Sequence, residues 1–194
     1  MGPASGGSGR SVRASGRGRT DVCCEESMSD WYNKRILILG CGNVLFGDDG
    51  FGPAVAGRCL EECAIPSDVG VLNAGTSVRN ILFDVLLSED KPSRIVILDA
   101  IDCGREPGEI FKLDLDAYPT HKVDDFSMHQ VPTSNLLREL RDLAGVEVSV
   151  LACQVGHIPD EVQPGLSAPV EASVERAVNT LKEEYLASPA DFTP

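Results

Sequence analysis

From Lys34 onward the chain alternates between short apolar runs and longer amphipathic ones. RILILG (from Arg35) and RIVILDAID (from Arg94) are too continuously apolar for a solvated edge and read as buried strands. VGVLNAG (from Val69) reads as a second strand and VEVSVLAC (from Val146) as the last. Between them, SVRNILFDVLL places Val78, Ile81, Leu82 and Val85 at helical spacing. PAVAGRCLEEC (from Pro53) reads as a helix with Cys59 and Cys63 one turn apart on one face. PTSNLLRELRDLAG begins with proline and ends with glycine, each where a helix tolerates it. EIFKLDL alternates and reads as a shorter, antiparallel strand. A C-terminal helix with a negative face is predicted from Pro169 to Leu186, followed by a fraying tail, ASPADFTP.

Strands alternating with helices predict a three-layer α/β sandwich: a twisted, mostly parallel five-stranded sheet with helices on both faces. In such sheets ligands bind outside the carboxyl ends of the strands. The residues to inspect are therefore those just after Leu39, Leu72, Leu98 and Leu151.

Residues 1 to 30 do not follow this pattern. MGPASGGSGRSVRASGRGRT is rich in Gly, Ser and Arg, has no apolar periodicity and cannot bury a core. It is expected to be a disordered leader, with Met28 as an alternative start and a basic targeting arm as the competing reading. Residues 31 to 194 are expected to form a single domain.

The formal net charge of the 194 residues is -13, which disfavours nucleic acid as a partner. No apolar run approaches the roughly 20 residues of a membrane-spanning helix, so no membrane insertion is expected. The seven cysteines are odd in number and include no CxxC pair, which makes a poor disulfide or zinc framework. A reducing, cytoplasmic location with buried or inert thiols is expected.

The candidate chemistry lies at the strand ends. Asn43, Asp48 and Asp49 follow the first strand; Asn73, Gly75 and Thr76 close the second; Asp99 ends the third, with Asp102 just beyond. His129 sits in SMHQVPT just before a helix, and His157 in the long loop after the last strand. Topology predicts that Asp49, Asp99 and His129 converge at one rim. Two carboxylates and an imidazole suit a borderline divalent ion such as nickel or zinc, bound modestly and with open positions. Each residue also has a plainer reading. Aspartates in a Gly-rich turn commonly serve the turn or cap a helix, and a lone loop histidine is commonly solvated. Asp99 is the strongest of the three, because an acid ending a buried strand is costly without a partner.

GCGNVLFG, from Gly40, is GxGxxxxG rather than GxGxxG. An Asp-Asp pair stands where a phosphate-facing helix would begin and would repel a pyrophosphate. No GxxxxGK[ST], GxSxG or HExxH is present. A dinucleotide site and a serine-nucleophile elbow are both disfavoured.

The run GCGNVLFGDDGFGP resembles the opening motif of the [NiFe]-hydrogenase maturation endopeptidases, GxGNxLxxDDGxG. Further pieces agree in order: NAGT at Asn73, ILDAID at Ile97, SMHQVPT at Ser127 and PDEVQPGLS at Pro159. The likeness extends from about Arg35 to Tyr185, and FGDDGFGP with PTSNLLREL is most similar to the processing proteases of archaeal deazaflavin-coenzyme-reducing hydrogenases. The resemblance implies an aspartyl-type endopeptidase that removes the C-terminal extension of the hydrogenase large-subunit precursor after nickel insertion. It implies metal-contact and catalytic positions at Asp49, Asp99 and His129, the trio that topology selects. A ligand set too poor to hold metal permanently suggests the hypothesis that nickel arrives with the substrate, zinc or cadmium standing in for it in crystals, so that cleavage acts as a checkpoint on nickel loading. Asn73 departs from the aspartate common at that position. The alternatives are a non-catalytic nickel-binding chaperone of the large subunit, a stand-alone metallo-amidase and a nucleotide-binding regulator.

Overall fold

A computed structural model of the chain describes residues 2, 31, 33–116 and 131–187, with only the backbone of 131–135. The leader apart from Gly2, the segment 117–130 with His121 and His129, and the tail 188–194 lie outside the described residues.

The strands are β1 (Ile36–Cys41), β2 (Val69–Gly75), β3 (Arg94–Ile101), β4 (Ile110–Leu113) and β5 (Glu147–Gln154). The helices are α1 (Phe51–Glu62), α2 (Val78–Leu87), α3 (Val131–Asp142) and α4 (Ala168–Leu181). The sheet runs in the order β2-β1-β3-β5-β4. β1 pairs in parallel with β2 and β3, and β3 with β5, while β4 runs antiparallel along β5. The expected mostly parallel five-stranded sheet is what forms, including the short antiparallel strand from EIFKLDL.

Alternate residues of the central strands feed two cores. Ile36, Ile38, Val96 and Leu98 pack under α1 and α4 together with Phe51, Val55, Val174 and Leu181. Leu37, Leu39, Ile95 and Ile97 pack under α2 and α3 together with Leu82, Val85, Leu137 and Leu140. Burial on both faces is why these strands show no polar alternation. β1 and β3 are neighbours whose chains continue to opposite sides of the sheet. Their carboxyl ends therefore flank the crevice that an open α/β sheet offers to a ligand.

Two boundaries differ from expectation. α1 begins at Phe51 rather than Pro53, because a single 3-10 turn (Gly47–Gly50) leads straight into it. Pro53 is tolerated there because first-turn N–H groups have no intrahelical acceptor. The α-helical part of the C-terminal helix ends at Leu181, and Lys182–Leu186 form a π-helical turn that buries Tyr185 and Leu186.

Candidate active site

The first loop is shaped by its glycines. A Cβ on Gly52 would fall on the carbonyl oxygens of Cys41 and Leu98, well inside contact distance. Only glycine lets the start of α1 press against the ends of β1 and β3 together. Gly42 has φ of 121°, and a Cβ there would meet the carbonyl oxygen of Asp49. The loop thus folds back on itself, and its end is secured locally. Asn43 accepts the Leu45 N–H on its side-chain oxygen at 3.0 Å, and its own N–H donates to the Asp49 carboxylate at 2.7 Å.

The two adjacent aspartates do different work. Asp48 is fully buried. Its carboxylate accepts the N–H groups of Gly156 and His157 at 2.7 Å each, the Ser167 N–H at 2.6 Å and the Ser167 hydroxyl at 2.9 Å. All four donors lie more than a hundred residues away, in the loop between β5 and α4 and at the N-cap of α4. Four hydrogen bonds repay the burial of a charge. Asp48 is a structural clamp. The backbone reinforces it: Gly47 N–H donates to Gln163 O, Gln163 N–H to Leu45 O, and Asp48 N–H to His157 O.

Asp49 belongs to the rim. It is 7% exposed, and its charge reaches Asp99 at the end of β3. Asp99 is half-buried and accepts the Ala100 N–H at 2.9 Å. Burial first, and the nearby Asp49 charge second, push its pKa up to about 7, against the opposing help of the Ala100 N–H. Cys41 lies in the same neighbourhood. Burial, then Asp99 and Asp49, hold its thiol well above the ordinary range, which makes it a poor nucleophile.

The structure therefore brings Asp49 and Asp99 together, as the topology predicts, and separates Asp48 from them. His129 lies outside the described residues. His157 is exposed, and its N–H donates to the Asp48 clamp rather than to the rim carboxylates. Asn73 is exposed at the end of β2. Among the described residues, no group of three His, Cys, Asp or Glu side chains is arranged to hold a metal ion.

One organising residue escaped the sequence reading. Gln154, at the end of β5, is 3% exposed. Its oxygen accepts the N–H groups of Cys103 and Arg105 at 2.9 and 3.1 Å. Its amide donates to Asp102 Oδ1 at 3.0 Å and to the Val155 carbonyl at 3.1 Å. All four capacities of the amide are used, and the loop after β3 is held beside the rim. A glutamine following an apolar strand gives no sign of this, because its partners come from another strand end.

A family model described as hydrogenase maturation protease (HycI) matches residues 53–184. The chain belongs to the hydrogenase maturation proteases. It is accordingly a hydrolase that works in hydrogenase maturation. Over 153 residues it is 42% identical to a Methanocaldococcus jannaschii protein assigned to these proteases, covering 78% of this chain and 96% of that one. It is 33% identical over 158 residues to the coenzyme F420 hydrogenase subunit delta of Methanothermobacter thermautotrophicus, covering 79% and 96%. That likeness agrees with the resemblance to the deazaflavin type. Among solved structures it superposes on the hydrogenase maturating endopeptidase HybD from Escherichia coli with a TM-score of 0.62 and 26% identity, covering 78% of this chain and 94% of that chain. The family match begins just past Asp49, so the role of that residue rests on the opening motif and the rim geometry. No helix among the described residues of this family member is long and apolar enough to cross a membrane.

Proposed function

We propose that the chain is the endopeptidase that removes the C-terminal extension of a [NiFe]-hydrogenase large-subunit precursor once nickel has been inserted. One observation carries this reading. Asp49 and Asp99 converge at the carboxyl ends of β1 and β3 and repel each other there, with Asp99 raised to about 7. Two carboxylates in a half-buried rim invite a cation, yet they make an incomplete ligand set. His129, just ahead of α3 in the chain, would complete it.

The donor chemistry fits a divalent ion delivered by the substrate: oxygen and imidazole ligands without a thiolate hold a borderline ion only modestly. Nickel in the precursor supplies Lewis-acid polarisation of the scissile carbonyl or of a water. The chain's own groups do the rest. The Asn43 N–H fixes one oxygen of Asp49 and so aims the carboxylate. Asp99, through a carboxylate oxygen left free of the ion, would take a proton from the attacking water and return one to the leaving amine. Asp48, spent on four hydrogen bonds, is excluded as general base and instead holds the loop that presents Asp49. Dependence on substrate nickel makes cleavage a checkpoint on loading, and the reaction belongs where the precursor is made, in the cytoplasm.

The test is incubation with nickel-loaded and nickel-free precursor, followed by mass spectrometry of the C-terminus. Only the loaded form is expected to lose its tail. Equal cleavage of both forms would remove the checkpoint, and stable binding without cleavage would make the protein a chaperone. Asp49→Ala and His129→Ala are each expected to lower processing by at least about a hundredfold with unchanged circular dichroism; wild-type processing by either variant removes that residue from the site.

A further inference from the structure

The surface beside the rim is unusually apolar for an acidic chain. Val44 is 53% exposed, Leu45 45%, Ile158 39% and Val162 64%. Val44 and Leu45 belong to the loop after β1, whereas Ile158 and Val162 belong to the loop after β5. The two loops are more than a hundred residues apart, yet they form one unit. Phe46 and Gln163 are joined by a parallel bridge, Gln163 N–H donates to Leu45 O at 2.9 Å, and the Asp48 carboxylate ties the same loops together below. The exposed side chains thus stand on a backbone that is already ordered, and little entropy remains to be lost when they are covered. Elsewhere, a buried clamp as strong as Asp48 would be surplus for a loop serving only as a connection.

We propose that Val44, Leu45, Ile158 and Val162 form a docking platform for the large-subunit precursor, and that the polypeptide it receives is an apolar segment flanked by basic residues. The proposal rests on the proteolytic reading above. Two observations select this occupant. The platform is continuous with the rim: Val44 directly follows Asn43, the residue that anchors Asp49, and Ile158 directly follows His157, which anchors Asp48. A polypeptide that presents a scissile bond to Asp49 finds these side chains next along the same joined loops. Asp160 and Glu161 stand exposed between Ile158 and Val162, so negative charge adjoins the apolar anchors and favours basic residues next to the apolar segment that they receive. Apolar anchors that lose their water on binding are how an interface concentrates its affinity.

The experiment is steady-state cleavage of nickel-loaded precursor by the full chain and by two variants, V44S/V162S and D160K/E161K. All four side chains are exposed and none belongs to the site, so folding is checked only by circular dichroism. V44S/V162S is expected to raise KM by about tenfold, two lost apolar anchors, and to leave kcat at saturating precursor unchanged. D160K/E161K is expected to raise KM at low salt and to flatten its dependence on ionic strength. Wild-type KM in both variants, with the wild-type enzyme active, overturns the platform and leaves the proteolytic function standing. A wild-type enzyme that leaves the tail of loaded precursor intact overturns that function and this docking with it.

Discussion

Asp48 and Asp49 are adjacent and chemically identical, and the fold gives them opposite tasks. The clamp residue carries a stability prediction. Asp48→Asn replaces an oxygen that accepts N–H groups with an amide that cannot accept from all of them and faces at least one donor. It should destabilise the protein by about 2 to 4 kcal/mol, the cost of disrupting a buried, fully bonded carboxylate, read as a lowered midpoint in urea. Asp99 carries a pH prediction. Its folded pKa, about 7, lies above its ordinary value of 3.8. Between those values the folded state holds a proton that the unfolded state releases, so stability falls as pH rises through this window, and the full penalty is present above it. Asp99→Asn should remove that slope and stabilise the protein at pH 8 by roughly 1 to 2 kcal/mol, discounted for partial exposure of the residue, while abolishing cleavage. A variant with the wild-type slope would place the titration elsewhere.

Among the elements, the join between β1 and α1 is the least replaceable. Gly52→Ala would push a methyl group onto the carbonyls of both β1 and β3, and neither strand can yield without breaking its pairing. A loss above about 3 kcal/mol is expected, in the range of severe overpacking, seen as failure to recover soluble protein or as a sharply lowered melting midpoint. α3 ends more simply. Gly145 takes φ of 69°, and the Val146 N–H closes on the Leu140 carbonyl, the stop that the sequence pattern predicts. The helix and strand periods were legible because each of these elements buries at least one face. The start of α1 was not, because the 3-10 turn before it is stabilised by contacts with distant loops rather than by a capping side chain.

For the whole molecule, strand alternation and the motif order were enough to place Asp49 and Asp99 at one rim, and they do meet there. The same reasoning gave no hint that the loops after β1 and β5 would fuse, because their hydrogen bonds join residues more than a hundred positions apart. That fusion creates the proposed docking platform and sets the clamp apart from the rim. The sequence by itself determined the sheet, its layers and the candidate carboxylates. Apolar period and strand-end position are local properties, and they carry this information without any partner. Only the tertiary structure decided which of two neighbouring aspartates is buried and bonded and which faces the site. That choice depends on where four donors from the far end of the chain arrive, and their arrival is a consequence of packing.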